Sequence, residues 1–172
     1  MDKFNIAKFR PNKDKKEVFE LLKDAWKANL SGEYDENFVS AHLVNPVHPG
    51  SVLKFVHVIR EINAPRDSDI VGVGTSIFFH GSENSSPRGY IELLISKQSL
   101  SDTQRAVTEK ALLEHILKKI RLLKPEYFEK QVRESNTVSV QVFKKAGFQE
   151  TKKGTSGPDT WVILELPLQT RK

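Results

Sequence analysis

The chain has 172 residues, with 27 lysines and arginines against 22 aspartates and glutamates for a formal charge of +5, and it has no cysteine. That length suits one domain over residues 1–172 with a core of useful size, and the missing cysteines exclude disulfides, thiolate metal sites and a cysteine nucleophile. The charge modestly favours anionic partners, but the basic residues are scattered and nowhere interleaved with aromatics, so nucleic acid is a disfavoured partner.

In chain order, the N-terminus M-D-K-F-N-I-A-K-F-R carries charges where a signal peptide needs an apolar run. No later stretch approaches the roughly 20 apolar residues of a membrane span, so the expectation is a soluble, cytoplasmic protein without a membrane partner. Phe4 to Phe9 alternates as a first strand, closed by Arg10-Pro11. Asp14 and Glu17 have the spacing of a capping box, and Val18, Leu21, Leu22, Ala25 and Trp26 then fall on one face of a helix from about Asp14 to Lys27. Between Leu30 and Pro49 the breaks Ser31-Gly32 and Asn45-Pro46 leave room for a short helix around Glu36 to Leu43. Trp26 and Tyr34 read as packing aromatics ahead of substrate contacts.

Val52 to Ile62, Ile70 to Phe79 and Gly89 to Ile95 are three strands rich in branched and aromatic residues, joined by turn-rich connectors, which predicts an antiparallel meander. Gly72 and Gly74 sit inside the second of these with no helix opening behind them. They read as close backbone packing or a bulge, not as a phosphate loop. Ser101 to Leu123 is a helix: Ser101 and Gln104 form a capping box, Leu112, Ile116 and Ile120 descend one face, and Glu114 to Lys118 is a favourable pair. Pro125 ends it. Tyr127 to Arg133, Phe148 to Lys152 and Trp161 to Leu166 complete the strands.

Between these last strands lies E-S-N-T-V-S-V-Q-V-F-K-K-A-G-F-Q-E, Glu134 to Glu150, whose signals conflict. Val138, Val140 and Val142 alternate as in a strand, whereas Asn136 is a good helix cap, Lys144 and Lys145 suit a last helical turn, and Gly147 suits the residue beyond it. Asn136, Ser139, Phe143, Lys145 and Gly147-Phe148 together resemble the last conserved motif of the GNAT superfamily of acyl-CoA N-acyltransferases, and the order of elements is similar to that superfamily over nearly the whole chain. The resemblance implies that Asn136 to Ala146 is helical. It implies an α+β fold, a mostly antiparallel twisted sheet of about seven strands with helices on both faces.

The resemblance also implies an enzyme that moves an acetyl or other short acyl group from acyl-CoA directly to a primary amine of a small molecule or peptide. The acyl-CoA would lie in a V between two splayed central strands, with its pyrophosphate on a Q/R-x-x-G-x-G/A loop opening the long helix. Here that loop falls at Gln104 to Glu109, with Val107 and Glu109 where Gly and Gly or Ala are usual. The cofactor contacts implied are Leu94, Ile95, Ser96, Gln104, Arg105, Ala106, Asn136 and Phe143, the backbone near Leu94 to Ser96 supplying an oxyanion donor. Phe143 stands where many members carry a proton-donating Tyr. Glu92 is the candidate base, placed by strand parity beside Tyr90 and Leu94, against the plainer alternative of an exposed strand glutamate. His57 and His80 rank below it, His115 reads as packing, and His42 and His48 lack metal-ligand spacing, so no metal is expected. A homodimer is one open assembly. The alternative reading is a GNAT-fold binding or interaction module without turnover, for which Val107, Glu109 and Phe143 speak.

Overall fold

A computed structural model of the chain describes residues 4–29, 40, 43, 52–61, 70–83, 85–156 and 159–168. The elements are β1 (Phe4–Lys8), α1 (Pro11–Asn29), β2 (Val52–Glu61), β3 (Ile70–Phe79), β4 (Arg88–Ser96), α2 (Asp102–Arg121), β5 (Tyr127–Arg133), α3 (Thr137–Lys145), β6 (Gln149–Ser156) and β7 (Asp159–Pro167). The strands form one seven-stranded sheet in the order β1-β2-β3-β4-β5-β7-β6, antiparallel throughout except where β4 runs parallel to β5. The expected meander and the α+β architecture are both present. Of the proposed short helix at Glu36 to Leu43, only Ser40 and Leu43 are described, both helical, with Leu43 buried; the rest lies outside the described residues, as do Tyr34, His42 and His48. No described helix is long and apolar enough to cross a membrane.

The two longer helices cover opposite faces. Val18, Leu21 and Leu22 of α1 pack with Val56, Val58, Ile70 and Val73, while Leu112, Leu113, Ile116 and Ile120 of α2 pack with Ile59, Val71, Ile91 and Phe128. Strand alternation makes this possible, since neighbouring residues such as Val58 and Ile59 serve different cores. The close approach of α2 depends on the glycines of β3: a Cβ on Gly74 would lie 2.6 Å from Ile116 Cδ1, and one on Gly72 3.1 Å from Thr108 Cγ2. The outer strand β6, Q-E-T-K-K-G-T-S, is exposed wherever its side chains are described and is interrupted by an extra residue between Glu150 and Lys152.

Two local expectations need correction. Helix α1 starts at Pro11, where a missing N–H costs nothing, and Asp14 is no cap. Its buried carboxylate accepts from the Arg10 N–H (2.8 Å) and pairs with Arg60 (2.7 Å), while Glu17 accepts from the Ile70 N–H (2.7 Å), so both anchor the helix to the sheet instead of forming a box. On α2, Glu114 pairs back to Lys110 (3.5 Å), not forward to Lys118. The disputed segment is helical. The Asn136 side chain accepts from the Ser139 N–H (3.3 Å), and at the other end Phe148 N–H bonds Phe143 O and Gly147 N–H bonds Lys144 O (3.1 Å each), with Gly147 at φ +95°. That is a Schellman end, and it overrides the strand-like valines.

Candidate functional site

The site begins where the sheet comes apart. β4 and β5 pair over only Arg88↔Tyr127, Gly89↔Phe128 and Tyr90↔Glu129, then diverge. Lys97 donates its N–H to Val71 O, so alternation turns Ile95 and Leu93 toward β3 and aims the backbone groups of Leu94 and Ser96 at the gap. A cavity of about 360 Å³ fills the divergence, walled by Glu92 to Ser96, Lys130 to Arg133, Asn136 and Ser139, with Trp26 and Trp161 at its sides and Arg105 and Glu109 of α2 at its end.

The base candidate has a more constrained setting than its parity suggested. Thr75 faces Leu93 and Ser76 faces Ile91, so Glu92 is the extra residue of a β-bulge. Parity had put Glu92 on the face of Leu94, which packs into the α2 core; instead Glu92 meets Lys54 and Thr75, which alternate in step with Val56 and Val73 of the α1 core. Its carboxylate pairs with Lys54 Nζ at 2.7 Å, a side chain only 1% exposed, and accepts from Thr75 Oγ1 at 3.0 Å.

Two buried charges sit deeper in the gap. Glu109 accepts from Ser96 Oγ (2.9 Å) and Ser139 Oγ (2.7 Å), tying β4, α2 and α3 together. Burial pushes its carboxyl above the usual range, while the two serine bonds and the cations Arg105 and Lys130 pull the other way. Lys130 sends its Nζ across the gap to Glu92 O (2.9 Å), and burial lowers its ammonium to about 8 despite Glu92 and Glu109 nearby.

The structure brings together Glu92, Leu94, Ile95, Ser96, Arg105 and Asn136 at the cavity. It leaves out three expected contacts. Gln104 is exposed in its capping box with Ser101, and Ala106 lines a separate groove between α2 and α3. Phe143 is fully buried and packs edge-on against Phe148, 5.1 Å between ring centres, away from the cavity. Residues 104–109 are not a loop either. Helix α2 starts at Asp102, Ser101 takes the Gln104 and Arg105 amides (3.3 and 2.8 Å), and the later amides are spent inside the helix. Glu109 therefore turns inward to the serines instead of facing a pyrophosphate. His57 lies against His115 (4.7 Å, 69°) under α2, and His80 is exposed beside Phe78; neither lines the cavity.

Sequence reasoning missed Lys130 and set Trp26 aside. The alternation Phe128, Lys130, Val132, all buried, was the available signal for a lysine pointing inward. Among the described residues no three histidine, aspartate or glutamate side chains gather as a metal site.

No family model and no curated protein matches the sequence. Solved structures do match. The chain is similar to the structure of the NatC complex bound to Gag peptide and CoA, with 16% identity, a TM-score of 0.73 and coverage of 97% of this chain and 99% of that one. It is similar to the ribosomal-protein-alanine N-acetyltransferase of Brucella melitensis at 16% identity and a TM-score of 0.71, covering 95% and 99%. It is also similar to Arabidopsis thaliana NAA60 in complex with a bisubstrate analogue, at 14% identity and a TM-score of 0.70, covering 96% and 98%.

Proposed function

We propose that this chain, which has the fold of the GNAT N-acetyltransferases, is an acyl-CoA-dependent N-acyltransferase that passes an acetyl or other short acyl group directly to a primary amine of a small molecule or peptide. One observation carries the reading: the parallel pair β4–β5 parts after three residue pairs and leaves backbone N–H groups facing a cleft between the strands. Such groups suit an extended amide-bearing arm, and the Leu94 N–H suits the oxygen of a carbonyl under attack. The residues present fit the acyl end of the co-substrate better than its phosphates. Arg105, whose Nε is buried without a partner while its Nη1 lies 3.5 Å from Asp102, is the α2 cation at the cavity that we assign to a phosphate. The co-substrate supplies an acyl group activated as a thioester.

The chain's own groups then hold and orient. Leu94 and Ser96 fix the arm, Asn136 and Ser139 at the start of α3 close its far side, and Trp26 and Trp161 exclude water. Glu92 is the proton acceptor we assign to the incoming ammonium, acting while held by Lys54 and Thr75. The amine forms its C–N bond as the C–S bond breaks. Phe143 has no proton for the thiolate, which takes one from solvent, at a cost of about a hundred- to ten-thousandfold in rate relative to a placed acid. Isothermal titration with CoA and acetyl-CoA, followed by CoA release over a panel of amines and lysine- or arginine-containing peptides, tests the reading. Binding with turnover of any panel amine is expected.

The helical state of residues 104–109 favours a second reading, a GNAT-fold module without turnover, because it removes the amide cradle expected for the phosphates. Acetyl-CoA binding with silence across the whole panel would select it.

A further inference from the structure

Lys130 is a buried amine for which the transfer just described has no use. It lies one residue past the last β4–β5 pair, at the apex of the gap, and its Nζ reaches over to the Glu92 carbonyl oxygen at 2.9 Å. It lines the same cavity as the Leu94 backbone. The other lysine buried among the described residues, Lys54, is engaged by a carboxylate, whereas Lys130 donates to a neutral carbonyl. We propose that the chain acylates itself, the Lys130 amine taking the acyl group of an acyl-CoA bound between β4 and β5. This rests on the acyl-CoA reading above.

In its neutral form the Lys130 nitrogen attacks the thioester carbonyl carbon. A C–N bond forms, the C–S bond breaks, the carbonyl oxygen is held meanwhile by the Leu94 N–H, and the proton lost from nitrogen ends on the departing thiolate. Burial supports the step by lowering the ammonium to about 8, so that a substantial share is neutral in mildly alkaline solution. The charged groups acting on it are Glu92 on β4 and Glu109 on α2, both of which favour the ammonium, and Arg105 acts on Glu109 in turn. An acylated Lys130 keeps one N–H for the Glu92 carbonyl but loses its charge beside Glu109.

The test is peptide mass spectrometry of the intact chain after incubation with acetyl-CoA at a series of pH values, with calorimetry of acetyl-CoA binding on the same preparation. Lys130 is expected to be acetylated ahead of exposed lysines such as Lys110 and Lys144, at a rate rising about tenfold per pH unit and levelling above about pH 8. Lys130→Arg should lose that adduct, and the wild-type spectrum suffices if the variant does not fold. Binding of acetyl-CoA with Lys130 no faster than the exposed lysines overturns self-acylation and leaves the acyl-CoA reading intact. No heat of binding and no adduct overturns both.

Discussion

Glu92 and Lys54 constrain how any experiment on the base can be read. Lys54 is buried and its ammonium is held 2.7 Å from the Glu92 carboxylate, so Glu92→Gln leaves a positive charge in the core opposite a neutral amide. Removing one partner of a buried pair costs about 3–5 kcal/mol. We expect Glu92→Gln to lower the urea midpoint strongly and the double variant Lys54→Met, Glu92→Gln to recover most of that loss; if the double variant is as unstable as the single, the pair is not what holds β2 to β4. Activity should be compared in the double variant, where folding is not in question. Glu109 behaves differently, because burial raises its carboxyl above the ordinary range. A raised value means the folded state favours the protonated acid, so stability present at low pH is lost as pH rises through the folded value. Glu109→Gln should therefore gain stability over wild type as pH goes from about 5 to about 8 in urea titrations. Glu109→Ala should instead lose about 1–3 kcal/mol at every pH for each serine hydroxyl left without its acceptor, Ser96 and Ser139.

Caps and close approaches decide the elements. Ser101→Ala removes the acceptor for the Gln104 N–H and should cost about 1 kcal/mol, whereas Gly147→Ala forces a side chain into φ +95° and should cost about 1–2 kcal/mol without a serious clash, the nearest atom being Leu166 Cδ1 at 3.4 Å. Thermal melts of the two variants check both. The same caps made these helices legible beforehand. Ser101 with Gln104, and Asn136 with Gly147, are local chemistry that a sequence displays directly, and the strands of the meander announced themselves through unbroken runs of branched residues. What stayed hidden was tertiary. The Glu92 bulge follows from β3 pairing and leaves no mark in E-L-L-I-S. Asp14 looked like a cap because the spacing to Glu17 was right, but Arg60 and Ile70, more than forty residues later, claim both carboxylates. Gln104 to Glu109 matched a loop motif by position while having the composition of a helix, and helix won. Asn136 could be placed at the site from its motif; Phe143 from the same motif could not, because only the packing of α3 shows that its ring turns to Phe148.

Over the whole molecule, the pH response adds a term of opposite sign to that of Glu109. His57, under α2 with Lys8, His115 and Lys119 as its charged neighbours, has its imidazolium lowered to about 4, chiefly by burial. A depressed value means the neutral ring is the folded form, so the stability it contributes is intact above about pH 6.5 and drains away as pH falls toward about 4. Urea midpoints measured across that range should fall less steeply for His57→Leu than for wild type, and identical slopes would remove His57 as a cause of acid lability. The polar character of β6 has a consequence of another kind. A terminal strand carries a row of backbone groups able to recruit a strand from another molecule, and long flat apolar edges invite fibrous aggregation. Here Glu150, Lys152 and Lys153 line that edge with charge, Lys153 in ion pairs with Glu134 and Glu150, and the extra residue between Glu150 and Lys152 kinks the line along which a second chain would have to zip. This edge strand, two strands out from β5, thus acts as a gatekeeper against self-assembly, and swapping both lysines for valine would turn it into a template for it.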